Sequence, residues 1–181
     1  MNEIGANGDQ SRCDEQIAQL AGLIYYDSGA INAKTNFSLF NHPGIVQKLR
    51  FEMANLVVVA EMFQSVFDSL GELCLLVREQ GASALYGYSE KTESRFLKNM
   101  LYIMSDKWPE NAEHSPLARM AYWVMPTLLG GAMRGKEFLE CLICYEGLLM
   151  ASAGYRPGMV RFRLMGLLGI QLSIEDCLNE E

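Results

Sequence analysis

The chain has 181 residues, half of them apolar and a fifth charged. That balance suits one domain with a substantial core and excludes intrinsic disorder for most of its length. A formal charge of −7 opposes phosphate backbones, so nucleic acid is not an expected partner. Five cysteines, an odd number in a chain too long to depend on disulfides, fit a reducing compartment. The polar start MNEIGANGDQ has no basic stretch followed by an apolar one, so the expected location is cytoplasmic.

Residues 1–12 read as a flexible N-terminal tail and 13–181 as a single all-helical domain. Ile17, Leu20, Ala21 and Ile24 fall on one helical face behind the acidic pair Asp14-Glu15, and Asp27–Gly29 should stop that helix. A loop anchored by Phe37, Leu39 and Phe40 follows. From Ile45 to about Gln80 the spacing of Leu49, Met53, Leu56, Val59, Ala60, Phe63, Val66, Phe67 and Leu70 predicts one long central helix, with Gly71 as a candidate division. Val57-Val58-Val59 would suit a strand by composition, but no alternation extends around it, so the reading there is helical.

Ser89 is the expected cap of the next helix, with Phe96, Leu97, Met100, Leu101, Ile103 and Met104 on its apolar side and an end by Pro109. Ser115-Pro116 is a strong helix start, with Leu117, Met120, Ala121 and Val124 facing one way until Pro126 and Gly130-Gly131 kink or end the segment. Met120–Met133 carries no charge but is shorter than the ~20 residues a bilayer-spanning helix needs, so no transmembrane segment is expected. Another helix sets Phe138, Cys141, Leu142, Tyr145, Leu148 and Leu149 on one stripe until Gly154. The last, from about Met159 to Leu178, is apolar nearly all round after Arg161 and Arg163, through Leu164, Met165, Leu167, Leu168, Ile170, Leu172 and Ile174, as a helix buried on most sides would be. The expected fold is all-α: an irregular, orthogonal bundle of six to seven helices around a buried hydrophobic helix.

Motifs that would carry chemistry are weak. Cys141 and Cys144 form a Cys-x-x-Cys inside a helix with Glu137, Glu140 and Glu146 near them. A redox pair needs the helix amino terminus to lower a thiol pKa, so packing is the reading for these two. No second Cys/His pair stands close enough to complete a metal site, no cofactor motif occurs, and His42 and His114 have no nucleophile signature around them. Arg156, Arg161 and Arg163 at the start of the last helix offer a contact for an anion or an acidic partner, with snorkelling from an apolar helix as the simpler explanation.

Eleven methionines, and apolar residues beyond one stripe per helix in MAYWVM and FRLMGLLGIQL, point to a groove or a partner. The expected function is therefore a non-catalytic interaction protein, an adaptor, chaperone or assembly subunit. Its expected partner is another polypeptide, in a hetero-complex or a homo-oligomer, met through Met120, Tyr122, Trp123, Met125 and Met133. In general character such a chain is similar to the small acidic helical chaperones and adaptors of bacterial secretion systems, although no motif carries that likeness. The alternative is a sensor or enzyme with a small-molecule site in the helical core, lined by His114, Tyr122, Trp123 and Arg156.

Overall fold

Pro43 opens the first helix, α1 (Pro43–Ala54), where its missing N–H leaves nothing unpaired, and Ile45, Leu49 and Glu52 are the side chains this helix buries. The computed structural model describes residues 38–39, 42–105 and 115–170. The expected helix behind Asp14-Glu15, the tail 1–12, Phe37, Phe40, His114 and positions 171–178 lie outside the described residues.

The long central helix expected over 45–80 is two helices. α1 ends at Asn55, whose side-chain amide donates to the Phe51 carbonyl at 2.7 Å. The chain then leaves the helix through Val57–Val59, with Val59 in an extended conformation, and makes a short 3-10 turn, Ala60–Phe63, before α2 (Gln64–Gln80). Three successive β-branched side chains lose χ1 freedom in a helix and fit an extended backbone better. In this link Leu56 and Val58 lean on the core while Val57 and Val59 face out. The run of apolar residues at helical spacing continues across this break, which is why periodicity missed it. Gly71 does not divide α2; it lies inside the helix where Pro157, at the start of the last helix, comes close.

A 3-10 segment, Ala82–Glu90, follows and buries Leu85 and Tyr88, three residues apart as its turn requires. Ser89 sits in this segment, and the cap of α3 (Arg95–Met104) is Ser94, whose Oγ accepts from the Leu97 amide at 3.4 Å. α4 (Pro116–Leu129) starts at the expected Ser115, which accepts from the Ala118 amide at 3.3 Å. Pro126 lies inside α4 without ending it, and Thr127 donates to the Trp123 carbonyl at 2.8 Å beside it.

α5 (Gly135–Ser152) is the enclosed helix. It packs against each of the other five described α-helices, and Leu139 through Leu149 is buried almost without interruption. At Gly147 the approach is so close that a Cβ would fall 2.3 Å from Leu70 Cδ1, so α2 and α5 meet where one lacks a side chain. α5 ends in a Schellman motif: Gly154, with φ of 77°, donates to Ala151, and Tyr155 donates to Met150.

The last described helix, α6 (Pro157–Leu167), is shorter and less enclosed than the sequence implies. It buries Gly158, Val160, Leu164 and Met165, and leaves Arg163 and Gly166 exposed. A second Schellman motif at Gly169 closes it, with Gly169 donating to Gly166 and Ile170 to Met165. The enclosed helix of the bundle is thus α5 and not the segment from Met159. No strand occurs among the described residues, and the fold is all-α. No helix among them is long and apolar enough to cross a membrane.

Candidate interaction surface

The buried charges of the bundle bind backbone. Lys48 and Glu52, one turn apart on α1, reach opposite helix ends: Lys48 Nζ donates to the Leu128 carbonyl of α4 at 2.6 Å, and Glu52 accepts from the Gly135 amide of α5 at 2.7 Å. A cation at a carboxyl end and an anion at an amino end both match the helix dipoles. Lys48 also stands over the Phe138 ring, 4.9 Å from its centroid, and loss of hydration at this site lowers its pKa. Glu146, in the middle of α5, accepts from the Leu39 amide at 2.6 Å and from Ser38 Oγ at 3.1 Å, so it anchors the segment that precedes α1.

His42 caps no amide with its side chain. Its own amide donates to Leu39, only 8% of its surface is exposed, and Nδ1 has no partner among the described residues. Burial holds its pKa below the ordinary 6.5. The folded chain therefore resists the proton that the unfolded chain accepts, and stability is expected to fall as pH drops from about 6.5 toward the depressed pKa. Urea unfolding of the parent and of His42→Gln across that range checks this. The parent should lose more stability than the variant, whereas parallel curves would show that His42 does not titrate against burial.

Both thiols of the Cys-x-x-Cys are fully buried within α5. Cys144 Sγ lies 3.5 Å from Ser94 Oγ, which itself donates to Glu140 at 2.9 Å. Burial pushes the Cys141 thiol up to about 12, with the Glu140 carboxylate adding to it, and burial raises Cys144 further. Cys74 on α2 is likewise pushed up to about 12 by burial. These three are small core side chains, and peptide-level labelling with a disulfide reagent near neutral pH should leave them unmodified until the protein unfolds. Labelling of Cys141 faster than global unfolding would mark it as a reactive group instead. No cluster of three His, Cys, Asp or Glu able to hold a metal occurs among the described residues.

Of the five residues expected to meet a partner, Met120, Met125 and Met133 point inward and are buried. α4 packs on both α3 and α5, so its apolar stripe is wider than one flank and draws Met120 and Met125 in, while Met133 is buried in the link between α4 and α5. Tyr122 and Trp123 are half-buried, Trp123 at the edge of the core. Arg161 lies over Phe67, 6.0 Å from the ring centroid, and reaches Gln64 Oε1 at 3.4 Å, while Arg163 lies over Tyr155 at 4.9 Å. Arg156 is exposed just ahead of α6. The guanidinium groups of Arg161 and Arg163 thus each lie on an aromatic ring of the fold. Tyr122 and Trp123 stand on α4, Arg156 stands just before α6, and His114 lies outside the described residues.

The exposed apolar surface lies elsewhere. Val57 is 85% exposed, Phe51 57% and Val59 45%, all within the last turns of α1 and the link to α2, while Leu75 on α2 and Tyr102 on α3 are exposed singly. The amides of Val57, Val58 and Val59 donate to no group among the described residues, and the carbonyls of Val57 and Val58 accept from none. Sequence reasoning passed over this surface, although three adjacent β-branched residues were its signal. Compared with protein-family models, curated proteins and solved structures, the chain gives no significant match.

Proposed function

We propose that this chain is a non-catalytic helical interaction protein, an adaptor, chaperone or assembly subunit that binds a polypeptide in a reducing cytoplasm. The supporting observation is the surface of Phe51, Val57 and Val59, where exposed apolar side chains adjoin the amides of Val57, Val58 and Val59, which donate to no group among the described residues. Apolar side chains in water and unpaired backbone amides beside them both favour association with another chain. The interior gives the same direction, because Glu52, Glu146 and Lys48 each hold backbone groups and their charges serve the fold. Affinity purification of the tagged chain beside its Val57→Lys/Val59→Lys variant tests the reading. A stoichiometric polypeptide, this chain or another, held by the parent and lost from the variant is the expected result; a small molecule released on denaturation, with no associated polypeptide, would replace it with a ligand-binding function.

A further inference from the structure

α1 buries two apolar side chains, Ile45 and Leu49, where α2 buries six. Much of its remaining hold on the bundle is polar: Lys48 on the Leu128 carbonyl and Glu52 on the Gly135 amide, on either side of the turn between α4 and α5. We propose that α1 is a pH-sensitive latch on that turn, released when His42 takes up a proton, with residues 55–59 as its hinge. An element with so little buried apolar surface opens before the bundle as a whole unfolds. The hinge suits this motion, because the amides of Val57, Val58 and Val59 donate to no group among the described residues, and swinging α1 outward breaks no hydrogen bond made by them. What opening uncovers is the end of α4, the start of α5 and the Phe138 ring beneath Lys48.

The place of His42 makes it the trigger. It precedes the first turn of α1, at the positive end of the helix dipole, where an imidazolium is disfavoured. Its ring folds back on that turn beside α4: a Cβ on Gly44 would fall 3.1 Å from His42 Cε1 and 3.4 Å from Leu129 Cδ2. The ring is buried there, and its Nδ1 has no partner. The charged groups on the elements around it are of the wrong sign or already engaged. Lys48 on α1 would share the sign of a protonated His42, Arg134 in the turn is a further cation, and Glu52 holds the Gly135 amide. α4 ends in the uncharged Thr127-Leu128-Leu129. On α5, Glu146 holds Ser38 and the Leu39 amide, while Glu137 and Glu140 turn to Arg95 and Ser94. His42 enters no ion pair among the described residues. With α1 released, the imidazole meets water and binds a proton at its ordinary 6.5, so acid below that value favours the open form until the depressed pKa of the closed form is passed.

Hydrogen exchange of the full chain, measured at about pH 6.5 and about pH 5.5 and divided by the intrinsic rate at each, tests the latch. Protection of the α1 amides from Gln47 to Ala54 should fall about fivefold over that unit, as uptake of one proton dictates, while protection from Leu139 to Leu149 in α5 stays the same. His42→Gln should abolish the fall. A second measurement needs no variant of His42: its ring proton resonance in the folded chain, told from that of His114 by His114→Gln, should titrate below 6.5. Equal falls in α1 and α5 would mark global unfolding and overturn the proposal. So would a fall that persists in His42→Gln, which would pass the trigger to Glu52 or Glu146, or a His42 resonance with the ordinary midpoint.

Discussion

A chain ended at Arg156 is expected to be unfolded in buffer, with no cooperative thermal transition. What it loses is the packing of α6 on α2 and α5, including the buried side chains of Val160, Leu164, Met165 and Leu168. Each is worth about 1.5–3 kcal/mol on burial, so the four together contribute about 6–12 kcal/mol. Whole domains are stable by about 5–15 kcal/mol, and the loss is of the same size. Circular dichroism and near-ultraviolet spectra of the truncated chain measure this directly. The point variant Leu164→Asp, which places a carboxylate in the same fully buried position, should fail in the same way. A truncated chain that kept a sharp unfolding transition would show that α6 covers the bundle without completing its core.

Phe138→Ala should cost about 3–5 kcal/mol, a shift in the urea midpoint of about 1–2 M. Phe138 is fully buried near the start of α5, and its ring lies under the Lys48 ammonium. The change leaves a cavity and also removes the aromatic face from a cation held at the end of α4. Phe138→Leu keeps most of the volume and should lose less than half as much. Equal losses for the two variants would mean that the ring itself, through Lys48, matters more than the filled volume.

The helices that follow strong local signals were legible in the sequence. Ser115-Pro116 starts α4 as expected, and the stripe of Phe138, Cys141, Leu142, Tyr145, Leu148 and Leu149 is buried in α5 up to the Gly154 turn. What could not be read is how many sides of α5 are covered. Glu146 looks like a solvated residue in sequence, and only the fold brings the Leu39 amide to it from more than a hundred residues away. Glu52 misleads in the same way, since its partner is the first amide of α5. The last helix was read in part: Leu164, Met165 and Leu168 are buried as its composition implies, while Gly166 faces solvent and the turn at Gly169 ends α6 earlier than expected.

Three of the five residues expected to meet a partner are covered for a related reason. Tyr122 and Trp123 are large and lie in an uncharged run, but three methionines of that run fill the core between helices. Phe51, Val57 and Val59 do the reverse, since a helix drawn through them turns Val59 toward the core stripe while the real backbone turns it out. The burial of a side chain follows from local backbone geometry, and a run of valines changes that geometry without disturbing the apolar spacing.

The position of α5 in the chain has a consequence for synthesis. The helix that packs on all the other described α-helices is translated after α1, α2, α3 and α4. At about 5–20 residues per second, the ribosome takes roughly 5–20 s to pass from the end of α1 to the end of α5. During that interval Leu70, Leu73, Leu97 and Leu101, all covered in the finished bundle, have no α5 to pack on. Nascent chains caught in this window are the ones at risk of aggregation, and slowing translation before Gly135 should lower the soluble yield more than slowing it after Ser152.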